Sequence, residues 1–136
     1  MHDYYLMAKE LCMSLAGKGG QQAIELIESG YRGEFVALRI LRDNISPMLA
    51  GELAVKMNVS TARVAALIKA LAGKKYLQYA KVQGDGRKVA LSLTQQGLKV
   101  LEEREYKVYS FAETALRKLE PEEAARFIAT AKKLFG

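Results

Sequence analysis

The sequence predicts a mainly α-helical domain carrying one small β-hairpin. Along most of the 136-residue chain, apolar side chains recur with the roughly 3.6-residue period of a helix. Between Leu77 and Leu93 that period gives way to strict alternation around a turn containing two glycines, Gly84 and Gly86. No stretch approaches the roughly eighteen apolar residues of a membrane span, and Met1-His2-Asp3-Tyr4 lacks the features of a signal peptide. A cytoplasmic protein is therefore expected. The single cysteine, Cys12, excludes an internal disulfide framework and suits a reducing compartment.

Taken in order, Tyr4, Ala8, Leu11, Cys12 and Leu15 form one stripe of a first helix over 3–16. Gly17-Lys18-Gly19-Gly20 is expected to break it. A short helix over 21–29 follows, stopped by Gly30. The next helix, over 33–43, turns Phe35, Leu38 and Leu41 or Ile40 inward, with Asn44 as its stop. Ser46-Pro47 reads as a helix start, Ser as cap and Pro at the first helical position. That helix carries Leu49, Ala50, Leu53, Ala54 and Met57, and its small residues allow a second helix to cross closely. Asn58-Val59 makes a tight turn. Ser60 and Thr61 then cap a helix reaching Lys74, whose Val64, Leu67, Ile68 and Leu71 form a face to be buried.

Two helices joined by a short turn make a helix-turn-helix. Directly after it, Leu77, Tyr79 and Lys81 alternate with Gln78, Ala80 and Val82. Val89, Leu91 and Leu93 do the same on the far side of a connection spanning 83–87. A hairpin in this place defines a winged helix. Because a two-stranded hairpin is barely stable alone, its Val89/Leu91/Leu93 face should pack on the helices. Thr94 caps a long helix to about Leu119, and Glu120-Pro121-Glu122-Glu123 opens a last one bearing Ala124, Phe127, Ile128, Ala131 and Leu134. The expected organisation is one compact domain in three parts. Residues 1–32 and 98–136 supply terminal helices, and 33–97 form the winged lobe. The terminal helices carry more apolar face than the lobe can cover, so they should pack together and partly against a second copy.

The net charge of +6 is concentrated in that lobe. Lys56, Arg63, Lys69, Lys74, Lys75, Lys81, Arg87 and Lys88 face only Glu52 and Asp85 between Pro47 and Thr94, and the remainder is balanced. Such a segment is the footprint of a polyanion binder, against the simpler alternative of a lysine-rich solvated surface. The outward side of the helix after Ser60 carries Ala62, Ala66, Lys69 and Gly73, flanked by Arg63. It is smooth enough to enter a DNA groove.

Element order and local motifs resemble the MarR family of winged-helix regulators. The resemblance is carried by Gly33-Glu-Phe-Val-Ala-Leu-Arg-Ile-Leu41, by Leu53-Ala-Val-Lys-Met-Asn-Val-Ser60, and by the wing, Gly84-Asp-Gly-Arg-Lys-Val-Ala-Leu-Ser-Leu-Thr-Gln-Gln-Gly97. Asp85, Arg87, Leu93, Thr94 and Gly97 match the family's wing pattern. It implies a homodimer made by the terminal helices, with one helix of each subunit in successive major grooves. Arg87 is implied to reach the minor groove, where the potential is strongly negative, while Asp85 holds it. One departure is visible. The family has Gly after the recognition helix, where this chain has Lys75, which predicts a different helix exit and wing angle.

The expected DNA-binding residues are Ser60, Thr61, Ala62, Arg63, Ala66 and Lys69 on the helix, with Asp85, Arg87 and Lys88 on the wing. Thr and Ala methyls can meet thymine methyls, and Arg63 can fork onto guanine or grip a phosphate. Lys56, Lys74, Lys75 and Lys88 are expected to touch phosphates, which set affinity and salt dependence without choosing sequence, or nothing at all. The Asp85–Arg87 pair has a plainer reading as an exposed turn pair. Some members of the resembled family sense peroxide through an N-terminal cysteine near tyrosines, here Cys12 with Tyr4, Tyr5 and Tyr31. Its place on the apolar stripe argues instead for an inert buried thiol.

Enzymatic chemistry finds no support. His2 is the only histidine and lies at the terminus, no Cys/His metal spacing or phosphate-binding loop is present, and Glu102, Glu103 and Glu105 read as a solvated helix face. No cofactor is expected. The partners expected are double-stranded DNA with a pseudo-palindromic operator, a second copy of the chain and a small effector, with no membrane. The function expected is that of a dimeric, sequence-specific transcriptional regulator, a repressor modulated by a small ligand. Two alternatives are a winged-helix module for protein or nonspecific nucleic-acid contact, and a DNA-binding regulator switched by oxidation of Cys12.

Overall fold

Leu38, Leu53, Leu71, Leu91 and Leu101 are the largest fully buried side chains, and each comes from a different element. Burying each is worth ~1.5–3 kcal/mol, so they mark where the fold is held. The computed structural model describes residues 3–31 and 33–136, with the side chain of Tyr31 not described. His2 and the Tyr31 side chain, both singled out from the sequence, therefore lie outside the described residues.

The elements are α1 (Tyr4–Ala16), α2 (Lys18–Tyr31), α3 (Glu34–Asp43), β1 (Met48–Leu49), α4 (Ala50–Met57) and α5 (Thr61–Gly73), then β2 (Leu77–Val82), β3 (Asp85–Leu93), α6 (Gln95–Leu116) and α7 (Pro121–Phe135). The strands form one antiparallel sheet in the order β1-β3-β2. Contacts divide the chain into two compact units, Ile27–Glu105 on one side and Met1–Leu26 with Tyr106–Gly136 on the other. The winged lobe expected over 33–97 falls inside the first.

In that lobe, α3 buries Ala37, Leu38 and Leu41, with Phe35 and Ile40 packed at the margin. Helices α4 and α5 add Leu53, Ala54, Val64, Ile68 and Leu71. The turn between them is closed by Asn58, whose left-handed φ of 55° is tolerated by Asn better than by most residues. As expected, the hairpin lays Leu91 into the core with Val89 and Leu93 beside it. At the junction with α6, Arg42 bonds Glu105 and its neighbour Asp43. Arg104 lies over the Phe35 ring, 4.8 Å from its centroid.

Ser46-Pro47 does not start a helix. The peptide before Pro47 is cis, and the chain then runs extended, pairing Met48 with Leu91 and Leu49 with Ala90. Burial of Met48 and the ladder to β3 outweigh the local helix-start signal, and α4 begins only at Ala50. The expected two-stranded hairpin is thus a three-stranded sheet. Its tip is also tighter than the expected 83–87 connection. Val82 pairs with Asp85, leaving Gln83-Gly84 as the turn, and a register shift follows at Lys81/Val82. Asp85 and Arg87 consequently sit on β3.

Helix α5 ends in a Schellman motif, with the Lys75 N–H donating to the Ala72 carbonyl and the Tyr76 N–H to the Leu71 carbonyl at 2.9 Å. Lys75 takes the left-handed position with φ 65°. The missing glycine therefore does not reroute the exit. Lys75 adopts the turn at a cost of ~1–2 kcal/mol.

At the N-terminus, Asp3 Oδ1 accepts the Tyr5 and Leu6 N–H groups and caps α1. The expected four-residue break shrinks to Gly17. Helix α2 starts at Lys18 and passes Gly30 to Tyr31, so Gly30 is not its stop. Gly20 permits this early start, since a Cβ there would lie 2.2 Å from the Leu15 carbonyl oxygen. Helix α6 ends at Leu116 rather than Leu119, and α7 opens with a capping box between Glu120 and Glu123. No residue of α1 or α7 is buried within the single chain. Tyr4, Tyr5, Met13, Phe127, Leu134 and Phe135 are all exposed. Cys12 is exposed as well, contrary to the buried thiol its position on the stripe suggested. The apolar stripe is real, and its large side chains Tyr4, Leu11 and Leu15 are exposed.

Candidate nucleic-acid interface

Helix α5 is built to present one side. Ser60 Oγ accepts the Arg63 N–H at 3.1 Å and caps its start, so this hydroxyl oxygen already has a structural partner. Val64, Ile68 and Leu71 hold the inner face. Thr61, Ala62, Arg63, Ala66 and Lys69 remain exposed, as does Ser60. On the wing Arg87 and Lys88 are exposed and Asp85 is half-buried.

Six of the nine predicted residues fall into two groups. Thr61 and Lys69 share with Arg87 a cleft of about 560 Å³ between α5 and the wing, its apolar wall including Ile68 and Val89. Ala62, Arg63 and Ala66 are exposed but do not line that cleft. Opposed to the helix is Tyr79, a cleft residue that sequence reasoning left unassigned. Its signal was present. Tyr79 alternates in phase with Leu77 on β2 and pairs with Leu91, yet it stays 59% exposed.

Asp85 bonds the backbone of Arg87 and not its guanidinium. Its Oδ1 accepts the Arg87 backbone N–H at 3.1 Å, and its Oδ2 lies 4.0 Å from Lys88 Nζ. The carboxylate thus holds the Arg87 backbone, while the Arg87 side chain stays exposed at the cleft. Lys74, read as a phosphate-binding candidate, is engaged elsewhere. Its ammonium donates to both Glu34 carboxylate oxygens at 2.9 and 2.8 Å. That hydrogen bond pushes the Lys74 pKa above its ordinary value. Helix α3 thereby ties the end of α5. Farther off, the Arg42 guanidinium holds the Asp43 carboxyl below the usual carboxylate range, chiefly through its hydrogen bond.

Among the described residues, no group of three or more His, Cys, Asp and Glu side chains could hold a metal ion. No helix there is long and apolar enough to cross a membrane. What the lobe offers is a capped helix with a small-residue face, a projecting strand pair and exposed positive charge on both. That chemistry suits a polyanion with a groove.

No protein-family model and no curated protein matches the chain. Solved structures do. Across 98% of its length it is similar to 97% of the YusO protein of Bacillus subtilis, at 22% identity and a TM-score of 0.81. A MarR family protein from Bacillus stearothermophilus matches over 98% of this chain and 96% of its own, at 21% identity and a TM-score of 0.73. The chain has the MarR fold. A mutant of Staphylococcus aureus MepR bound to an oligodeoxyribonucleotide shares it over 98% of this chain and 96% of its own, at 18% identity and a TM-score of 0.65. In this MarR fold α4 and α5 are the helix-turn-helix and β2–β3 the wing.

Proposed function

We propose that this protein is a homodimeric, sequence-specific DNA-binding transcription regulator of the MarR type, acting in the cytoplasm as a repressor whose affinity a small ligand modulates. The observation that carries the reading is the convergence of exposed Thr61, Lys69 and Arg87 on one cleft beside the exposed Ala62/Arg63/Ala66 face. The apolar side chains left uncovered on α1 and α7 support the dimer, since exposed apolar surface on this scale marks an interaction site. The second helix of each lobe would read a major groove and Arg87 an adjacent minor groove, with half-sites about one helical turn, roughly 34 Å, apart. No catalytic role is assigned.

Selecting bound sequences from a random duplex pool tests this directly. A pseudo-palindromic sequence should be enriched, and Arg63→Ala with Arg87→Ala should weaken its binding while lowering the salt slope by roughly 2. Recovery of no preferred sequence would leave only nonspecific contact. An unchanged affinity and slope in the double variant would remove the interface itself. A variant of the reading makes oxidation of Cys12, a free thiol on α1, the switch in place of a ligand. A Cys12→Ser protein that still releases DNA on peroxide treatment would end that variant.

A further inference from the structure

Where α5, the wing and α6 join, one hydroxyl does two things. Thr94 Oγ1 accepts the Gly97 N–H at 3.0 Å, which caps α6. It also donates to the Lys75 carbonyl at 2.7 Å, across nineteen positions of sequence. A helix cap needs only the first of these bonds. Beside them the Thr94 N–H donates to the Tyr76 carbonyl at 3.1 Å, and Gly97 lies so close to that carbonyl that a Cβ would fall 2.0 Å from its oxygen. The last residues of the α5 exit and the first turn of α6 are therefore fastened to each other. Lys75, which receives the donated bond, is itself held in the left-handed conformation with φ 65°. A strained residue persists where its surroundings over-determine it, and here the Schellman bonds and the Thr94 hydroxyl do so. From this joint α6 runs unbroken from Gln95 to Leu116, beginning in the winged unit and ending in the other.

We propose that Thr94 is a positioning residue for DNA recognition. Its donated hydrogen bond sets the angle between α5 and α6, and through it the spacing at which two lobes of a dimer accept half-sites. The inference rests on the dimeric DNA-binding reading above. The cap and the clasp can be separated chemically. Thr94→Asp keeps an excellent capping acceptor but has no proton to donate to the Lys75 carbonyl. Thr94→Val loses both bonds without adding charge, and Thr94→Ser keeps both.

The experiment uses the full chain and duplexes carrying the selected half-sites at their preferred spacing, or with one or two base pairs added or removed. Each affinity is divided by that for a single half-site, which cancels any general loss of binding. Wild type and Thr94→Ser should lose on the order of 100-fold off the preferred spacing, because simultaneous engagement fails. Thr94→Asp and Thr94→Val should lose no more than about tenfold, because a looser joint lets both lobes reach. Retention of the wild-type spacing profile by both variants overturns the proposal. A wild type indifferent to spacing fails earlier and for another reason, since it removes the dimeric operator reading before any variant is compared. Should both variants fail to fold, amide exchange in wild type and Thr94→Ser decides. The clasp requires protection of the Thr94 N–H, which donates to the Tyr76 carbonyl across the joint, matching the lobe core, and exchange as fast as a loop amide overturns it.

Discussion

Replacing Gly97 by Ala should cost about 3 kcal/mol of stability, although Gly97 lies in the first turn of a helix where Ala is the better residue. The new Cβ would lie 2.0 Å from the Tyr76 carbonyl oxygen and 2.9 Å from both its carbon and Leu93 Cδ1. Leu93 can turn aside. The Tyr76 carbonyl has to retreat by at least about 1 Å to reach even the tightest contact real side chains show. Its retreat breaks the bond from the Thr94 N–H at 3.1 Å and disturbs that from Thr94 Oγ1 to the Lys75 carbonyl at 2.7 Å. Two such bonds are worth ~2 kcal/mol together, and overpacking adds ~1–3. The gain in helix propensity returns ~1 kcal/mol, leaving ~2–4. Urea unfolding at fixed protein concentration measures it, since dimerisation would otherwise shift the midpoint. Gly73→Ala is the control, because nothing lies within 4 Å of a Cβ there, and it should be neutral or stabilising by up to ~1 kcal/mol. A Gly97→Ala protein within 1 kcal/mol of wild type would refute the close-approach argument.

The remaining predictions concern backbone strain and pH. Lys75→Gly removes ~1–2 kcal/mol of left-handed strain but adds ~0.4–1 kcal/mol of unfolded-state entropy, so a net gain of up to ~1.6 kcal/mol is expected in the same unfolding assay. A loss of stability would show that the Lys75 side chain contributes something its backbone conformation does not account for. Asp43 has its carboxyl held low by Arg42, so its contribution is present above the unfolded carboxylate value and lost as pH falls through the folded one. Because Asp43 is exposed, salt screens the effect. Asp43→Asn should flatten the acid limb of stability below about pH 4 at low salt, and coincident pH curves for the two proteins would contradict it.

Signals that act within a few residues were legible without a structure. Ser60 and Thr94 each cap the helix that follows, as side chains able to accept an N–H three positions on. The inner faces of α3 and α5 were readable from period alone, and all nine expected contact residues of helix and wing escape full burial. What depended on distant partners was not legible. Met48 and Leu49 become a strand only because β3 offers Ala90 and Leu91 across a gap of more than forty residues. Lys74 pairs with Glu34 because α3 brings that carboxylate to the end of α5, and Tyr79 joins the cleft because β2 and α5 face each other. Lys75 takes a glycine's conformation since Ala72, Leu71 and Thr94 supply the bonds that hold it. Local sequence determined which segments could be helices, a hairpin and a basic face. Tertiary structure decided which charges were left over and how the lobe is fastened to α6, because hydrogen bonds and ion pairs between elements outweigh preferences of a few tenths of a kcal/mol per residue.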